Sequence, residues 1–279
     1  MTIAITGATG QLGQLVIAAL RKRLPEGEII ALARNPAKVD LGVTTRAFDY
    51  DVPETLATAL AGVDKLLLIS SSEVGKRAAQ HRAVIEAARD AGVKEIVYTS
   101  LLHADRSPLS LADEHLATEA MLEGAGIPHT ILRNGWYTEN YLGALSAALE
   151  HGALIGSVGD GRVSGAPRKD YAEAAAIVLT SDGHAGKTYE LAADEAWTLA
   201  DLAAEIAAQS GKPVAYNDLP EAEYAGALAG FGLPEGLAAA IASWDVGASQ
   251  GALYDDSHTL SRLIGRPTTS LAETVKAAL

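Results

Sequence analysis

The sequence predicts an α/β fold: a doubly wound parallel sheet with a smaller, mostly helical C-terminal lobe. Three observations point to it. Apolar runs at residues 2–6, 28–33, 44–48, 64–69 and 95–99 alternate with segments of helical periodicity, the pattern of a parallel sheet covered on both faces. Gly7, Gly10 and Gly13 stand at spacing three where the first strand turns into the first helix. Polar residues gather after each apolar run, at the carboxyl edge where such sheets bind ligands. Residues 1–150 are expected to form a nucleotide-binding domain, with a strand near residues 187–191 returning to its sheet. Residues 151–279 are expected to form the smaller, substrate-side lobe.

The first strand ends in the turn and helix start Gly7, Ala8, Thr9, Gly10, Gln11, Leu12 and Gly13. A glycine at such a turn permits the tight bend, a second lets backbone N–H groups approach a pyrophosphate, and a third permits close packing of helix on strand. The helix N-terminus then offers unpaired donors and a partial positive charge to phosphate. The spacing is G-x-x-G-x-x-G rather than the commoner G-x-G-x-x-G. These seven residues are the expected cofactor loop of a Rossmann-like domain.

The second strand ends at Arg34, and no acidic residue lies between Ile29 and Lys38. An acid there would accept from a free ribose 2′-hydroxyl, whereas a guanidinium suits a 2′-phosphate. NADPH is therefore the expected cofactor, the other reading of Arg34 being an exposed base at a helix start. Asp49, after the third strand, either accepts from the adenine amino group or begins a turn before Pro53. The fourth strand stops at Ser70, Ser71 and Ser72, with Lys76 after them. Their hydroxyls suit phosphate, ribose or substrate, and equally suit capping of the helix expected over residues 74–91. Thr99 and Ser100 close the fifth strand and, with the serines and Lys76, are expected to contact the cofactor from the carboxyl edge of the sheet. A helix over residues 109–122 and a sixth strand over 128–132 lead to the densest polar and aromatic cluster, from Arg133 and Asn134 through Tyr137, Thr138, Glu139 and Asn140 to Tyr141. Aromatic faces with interspersed amides suit a planar ring and its carbonyls. Beyond it lies a glycine-rich stretch over 152–166, then helices over 168–180, 198–209, 221–229, 236–244, 257–264 and 270–279, with a short strand at 213–216.

Composition removes several functions. The chain of 279 residues has no cysteine, which excludes disulfides, thiolate nucleophiles and cysteine-ligated metals, and no metal is expected. No run of eighteen apolar residues and no basic-then-apolar leader is present, so neither a membrane span nor a secretory signal is expected, and the expected location is cytoplasmic. Of the net charge of −13, residues 1–134 carry −2 and residues 135–279 carry −11. Such an acidic second half is a poor surface for nucleic acid. Homo-oligomerisation is left open.

A nicotinamide site without metal or cysteine implies hydride chemistry. None of the nine tyrosines has a lysine four residues on, so the acid/base dyad of the short-chain dehydrogenase mechanism is missing. Quinone reduction tolerates that loss. Its product is a phenolate whose conjugate acid has a pKa near that of tyrosine, about 10, so placement and hydrogen bonding to the developing oxyanion suffice. Asn134 and Tyr137 are the candidates to bind or polarise a quinone oxygen, and no acid/base residue is assigned. His103 and His115 are possible proton donors, although histidines in such loops and helices are more often surface residues.

The segments TGATGQLG (residues 6–13), LARNPAK (32–38), LLLISSSEVG (66–75), VYTSLLHADRSPL (97–109) and LRNGWYTENYL (132–142) resemble the NmrA-like atypical short-chain dehydrogenase/reductase family. They resemble its bacterial NAD(P)H:quinone oxidoreductases most. The likeness runs on through WDVGAS (244–249) and LIGRPTTSLAE (263–273). It implies an NADPH-preferring reductase of small quinones, with the glycine loop, Arg34, the serine loop and residues 137–140 lining the cofactor and quinone cleft. The alternative is a non-catalytic NADP(H)-sensing regulator acting through a protein partner, as some members of this family are.

Overall fold

The computed structural model describes residues 1–38 and 40–279. Its contacts divide the chain into two units: Met1–Asp105, Leu111–Asn134 and Arg168–Leu191 form the first, and Arg106–Ser110, Gly135–Pro167 and Ala192–Leu279 the second.

The first unit runs β1 (Ile3–Ile5), α1 (Gln11–Leu20), β2 (Ile29–Ala33), β3 (Thr44–Ala47), α2 (Pro53–Ala59), β4 (Lys65–Leu68), α3 (Arg77–Asp90), β5 (Glu95–Leu101), α4 (Ala112–Gly124) and β6 (His129–Asn134). The chain then crosses the second unit through α5 (Thr138–Leu142), α6 (Leu145–His151) and β7 (Ala153–Gly156). It returns with α7 (Arg168–Thr180) and β8 (Thr188–Leu191). The strands form one parallel sheet in the order β3-β2-β1-β4-β5-β6-β8, and the reversal of strand order falls between β1 and β4. The doubly wound sheet expected from sequence is thus present.

Continuous apolar runs make these strands because both faces of the sheet are covered. Leu66, Leu67 and Leu68 are all fully buried. One face packs Ala4, Leu66, Leu68, Ile96 and Tyr98 against Leu56 of α2, Val84 and Ile85 of α3 and Leu122 of α4. On the other, α1 packs along α7, which also lies on β4 and β5. Fully burying each such leucine contributes roughly 1.5–3 kcal/mol.

Two strands are longer than their apolar runs suggest. β5 continues to Leu101 and β6 to Asn134, so Ser100, Arg133 and Asn134 are strand residues paired in register, Ser100 with Arg133 and Leu101 with Asn134.

The second unit is completed by α8 (Leu199–Ser210), β9 (Ala215–Asp218), α9 (Glu221–Gly230), α10 (Glu235–Ser249), α11 (Thr259–Ile264) and α12 (Leu271–Ala278). It is mostly helical, as expected. Where sequence suggested only glycine-rich turns, β7 pairs in parallel with β9, matching Ala153 to Ala215 and Gly156 to Asp218. Helices α8 and α12 each begin with a capping box, Thr198 with Asp201 and Ser270 with Glu273.

Candidate cofactor site

The glycine turn lies at the switch point of the sheet. Gly7 takes φ +58°, a left-handed conformation that only glycine adopts without strain. The Gly10 N–H donates to the Gly7 carbonyl at 2.9 Å and closes the turn. Gly13 has no room for a side chain: a Cβ there would stand 2.8 Å from Ala8 Cα and closer still to the Gly7 oxygen. A Cβ on Gly7 would approach Ile69 Cβ at 3.6 Å, so the turn sits against the end of β4. Gly7, Thr9, Gly10 and Gln11 are exposed, while Ala8, Leu12 and Gly13 are buried beneath them. Gly10 caps α1 without a side-chain hydrogen bond, which leaves the first amides of the helix facing outward. This crowded, outward-facing amide cradle fits a dinucleotide pyrophosphate. Arg34 is exposed directly after β2, the neighbour of β1.

Asp49 forms a turn after β3. Its Oδ1 accepts the Asp51 N–H at 3.1 Å, and its own N–H donates to Thr55 Oγ1 at 3.0 Å.

Buried hydroxyls tie the ends of β1, β4 and β5 together. Thr6 Oγ1 accepts the Ile69 N–H at 2.9 Å, and Thr99 Oγ1 accepts the Ser70 N–H at 3.0 Å. The three serines then divide. Ser71 is buried and its Oγ accepts the Glu73 N–H at 3.2 Å, whereas Ser70 is half-buried and Ser72 exposed. Beneath the turn, the Ser71 N–H meets His81 Nε2 and the Ser71 carbonyl accepts from Arg77 Nε at 2.5 Å. The Glu114 carboxylate accepts the N–H groups of Gly75 and Arg77, each at 3.1 Å, and so caps the start of α3. Lys76 is exposed and paired with Glu73 at 3.0 Å.

Behind this turn runs a row of rings, Phe48, Tyr50, His81, Tyr98 and His115, with successive centroids 5.5–6.3 Å apart. His115 is buried rather than superficial. Its Nδ1 shares a 2.7 Å hydrogen bond with the Tyr98 hydroxyl, and burial, aided by Arg77 and His81, pushes its imidazole down to about 3.

Ser100 is also committed within the fold: its Oγ donates to Glu119 Oε1 at 2.5 Å. Glu119 in turn holds Arg133 through both oxygens, at 3.0 and 2.7 Å. Arg133 Nη1 reaches Glu190 at 2.9 Å and Asp105 at 2.8 Å, which fastens the ends of β5, β6 and β8. His103 lies on this network at φ +52°, its N–H donating to Glu190 Oε2 at 2.8 Å. Asn134 is buried at the end of β6, its carbonyl accepting the Leu102 N–H at 2.9 Å.

The remaining expected residues belong to the second unit. Tyr137 is half-buried, precedes α5 and bridges to Ala166. Thr138 is buried, and its N–H donates to the Ala166 carbonyl at 3.1 Å. Glu139 is half-buried and Asn140 exposed. Tyr141 anchors the helix by donating to Asp245 Oδ1 at 3.2 Å, while Asp245 Oδ2 accepts the Ser157 N–H at 3.0 Å. Burial pushes the Asp245 carboxyl up to about 6. Trp136 and Trp244 pack edge to face at 6.1 Å, and the Trp244 N–H donates to Ser110 Oγ at 2.9 Å. No helix among the described residues is long and apolar enough to cross a membrane.

The sequence did not single out His81, Arg77 or Glu114. A signal was present for His81: with Gln80 it falls on the stripe of α3 that includes Val84, Ile85 and Ala88, so two polar residues occupy a core-facing row.

Comparison with known proteins extends this picture. A protein-family model described as NAD(P)H-binding matches residues 7–182. The chain is 61% identical over 277 residues to Quinone oxidoreductase 2 of Escherichia coli (strain K12), spanning 98% of this chain and 97% of that one. The crystal structure of the NADPH-dependent quinone oxidoreductase of Escherichia coli complexed with NADPH matches with a TM-score of 0.95 at 61% identity over 99% of each chain. The Citrobacter sp. triphenylmethane reductase complexed with NADP(H) matches with a TM-score of 0.94 at 42% identity over 100% of each chain. The chain therefore belongs to the NAD(P)H-binding family, among its NmrA-like members.

Proposed function

We propose that this protein is an NADPH-dependent quinone oxidoreductase. The observation that carries the reading is the crowded glycine turn at the β1/β4 switch point with Arg34 on the neighbouring strand end. It occurs in a chain 61% identical to Quinone oxidoreductase 2 along nearly its whole length. When bound, NADPH supplies a hydride, which with one proton from water converts a quinone to its hydroquinone. The first unit serves as the NADP-binding domain and the second as the substrate-side lobe.

In this reading the first-turn amides of Gln11 to Gly13 hold the pyrophosphate, and the Arg34 guanidinium pairs with the 2′-phosphate. Ser70 and Ser72, whose side chains are less enclosed than those of Ser71 and Ser100, supply hydroxyls to the cofactor. The candidates to donate a hydrogen bond to a quinone oxygen, and so to stabilise the phenolate that forms, are Asn134 of the first unit and, as the alternative, Tyr137 of the second. That product is a weak enough base to take its proton from water, which accords with the absence of a Tyr-x-x-x-Lys dyad.

Steady-state NADPH oxidation with and without a benzoquinone-type acceptor tests the reading. Acceptor-dependent turnover that saturates in both substrates is expected. Tight NADPH binding without turnover would overturn it in favour of an NADP(H)-sensing regulator.

A further inference from the structure

The turn between β4 and α3 is shaped less by its own sequence than by side chains reaching it from other elements. The Ser70 N–H goes to Thr99, the Ser71 N–H to His81, and the N–H groups of Gly75 and Arg77 to Glu114. Among these partners only His81 is a group whose hydrogen-bonding direction depends on where its proton sits.

That direction is fixed by its neighbours. A backbone N–H can only donate, so His81 Nε2, 3.0 Å from the Ser71 nitrogen, must be the unprotonated ring atom. Nδ1 then carries the hydrogen and donates to Thr118 Oγ1 at 2.9 Å. Thr118 spends its own hydrogen on the Glu114 carbonyl, also at 2.9 Å, so it has only acceptor capacity left for His81. The chain of donors therefore runs one way, from Ser71 through His81 and Thr118 to α4. The imidazole is fully buried and held edge-on between Tyr50, at 6.3 Å, and Tyr98, at 5.5 Å. Burial and the adjacent Arg77 guanidinium hold its pKa down to about 4, which keeps it neutral.

The geometry points to His81 as a positioning residue of the cofactor site: as the Nδ1–H tautomer it holds the Ser71 amide and so sets where the Ser70 and Ser72 hydroxyls meet NADPH. This rests on the NADPH reading above. His81 touches neither substrate nor cofactor; it acts through the turn.

The test compares H81L, which keeps apolar bulk but accepts no hydrogen bond, with H81Q, whose Oε1 can accept from Ser71 while its amide donates to Thr118. NADPH affinity is measured by calorimetry on the whole protein, beside kcat at saturating NADPH. H81L is expected to raise the NADPH dissociation constant at least tenfold while kcat changes less than threefold, and H81Q to recover most of the affinity. An H81L variant that binds as tightly as wild type, or an H81Q no better than H81L, overturns the inference. Should H81L fail to fold, 15N NMR of the wild-type histidines decides: a hydrogen on His81 Nε2 overturns the inference, and one on Nδ1 with H81Q retaining affinity supports it. A wild-type chain that binds no NADPH overturns the functional reading and this inference with it, whereas wild-type binding with an unaltered H81L overturns this inference alone.

Discussion

Asp245 offers a measurement of what a buried carboxylate costs this fold. Its side chain is almost wholly enclosed, with one oxygen on Tyr141 and the other on Ser157. Burial lifts its pKa from the ordinary 3.8 to about 6. The folded chain therefore binds this proton more readily than the unfolded one between those two values. From this group alone, stability is highest below pH 4, falls as pH rises through about 6, and is level above that. Each pH unit is worth roughly 1.4 kcal/mol, so the ionised form costs about 3 kcal/mol at pH 8. D245N removes the charge while keeping the contacts, since a carboxamide oxygen accepts from Ser157 and its nitrogen donates to the Tyr141 oxygen. At pH 8 the variant is expected to be more stable than wild type by up to about 3 kcal/mol, which for a chain of this size is roughly 6 °C in melting temperature. At pH 4 the two are expected to melt together. Thermal melts followed by circular dichroism at both values provide the test. A variant that is less stable at pH 8, or that differs from wild type equally at both values, would refute the argument.

Three further outcomes follow from the site and its supports. R34A is expected to weaken NADPH by about 30-fold, the scale of a charge-assisted phosphate contact, with little effect on NADH; equal losses in a binding titration would mean that Arg34 does not read the 2′-phosphate. G13A forces a Cβ to within 2.8 Å of Ala8 Cα, and should destabilise the fold by about 1–3 kcal/mol in urea while weakening NADPH, because the turn must open; unchanged affinity would argue against the cradle. R133M strips the counter-charge from Glu119, whose side chain is only 11% exposed, and is expected to cost about 3–5 kcal/mol, with a loss below 1 kcal/mol counting against the network as a fastener of the sheet.

The sheet was legible in the sequence because strands buried on both faces are uninterrupted apolar runs, and Ile29–Ala33 and Leu66–Ile69 are of that kind. The places of Arg34 and the glycine turn at strand ends were legible for a related reason: each follows such a run closely. What escaped were strand residues that are polar for tertiary reasons. Ser100, Arg133 and Asn134 extend β5 and β6 past the apolar stretch, and the carboxylates of Glu119, Glu190 and Asp105 make an enclosed guanidinium tolerable there. Helices α5 and α6 and strand β7 are only five, seven and four residues long, too short for a periodic pattern to show; β7 exists because β9, some sixty residues later, supplies its partner. The division of labour among the serines was equally illegible. Nothing local tells Ser71 from Ser70 or Ser72; a histidine ten residues on does.

The return of α7 and β8 to the first unit bears on how the chain acquires its shape during synthesis. Helix α1, which starts at the glycine turn, is covered by a helix made some 150 residues later, and β6 gains its outer neighbour only at residues 188–191. A nascent chain that has emerged only as far as β6 thus carries the glycine turn, Arg34 and the serine turn on a sheet with an uncovered face and an open edge. The first unit matures only after the ribosome has passed residue 191. Shortening the gene within α7 would therefore forfeit the nucleotide site, although every residue expected to touch the nucleotide had already been made.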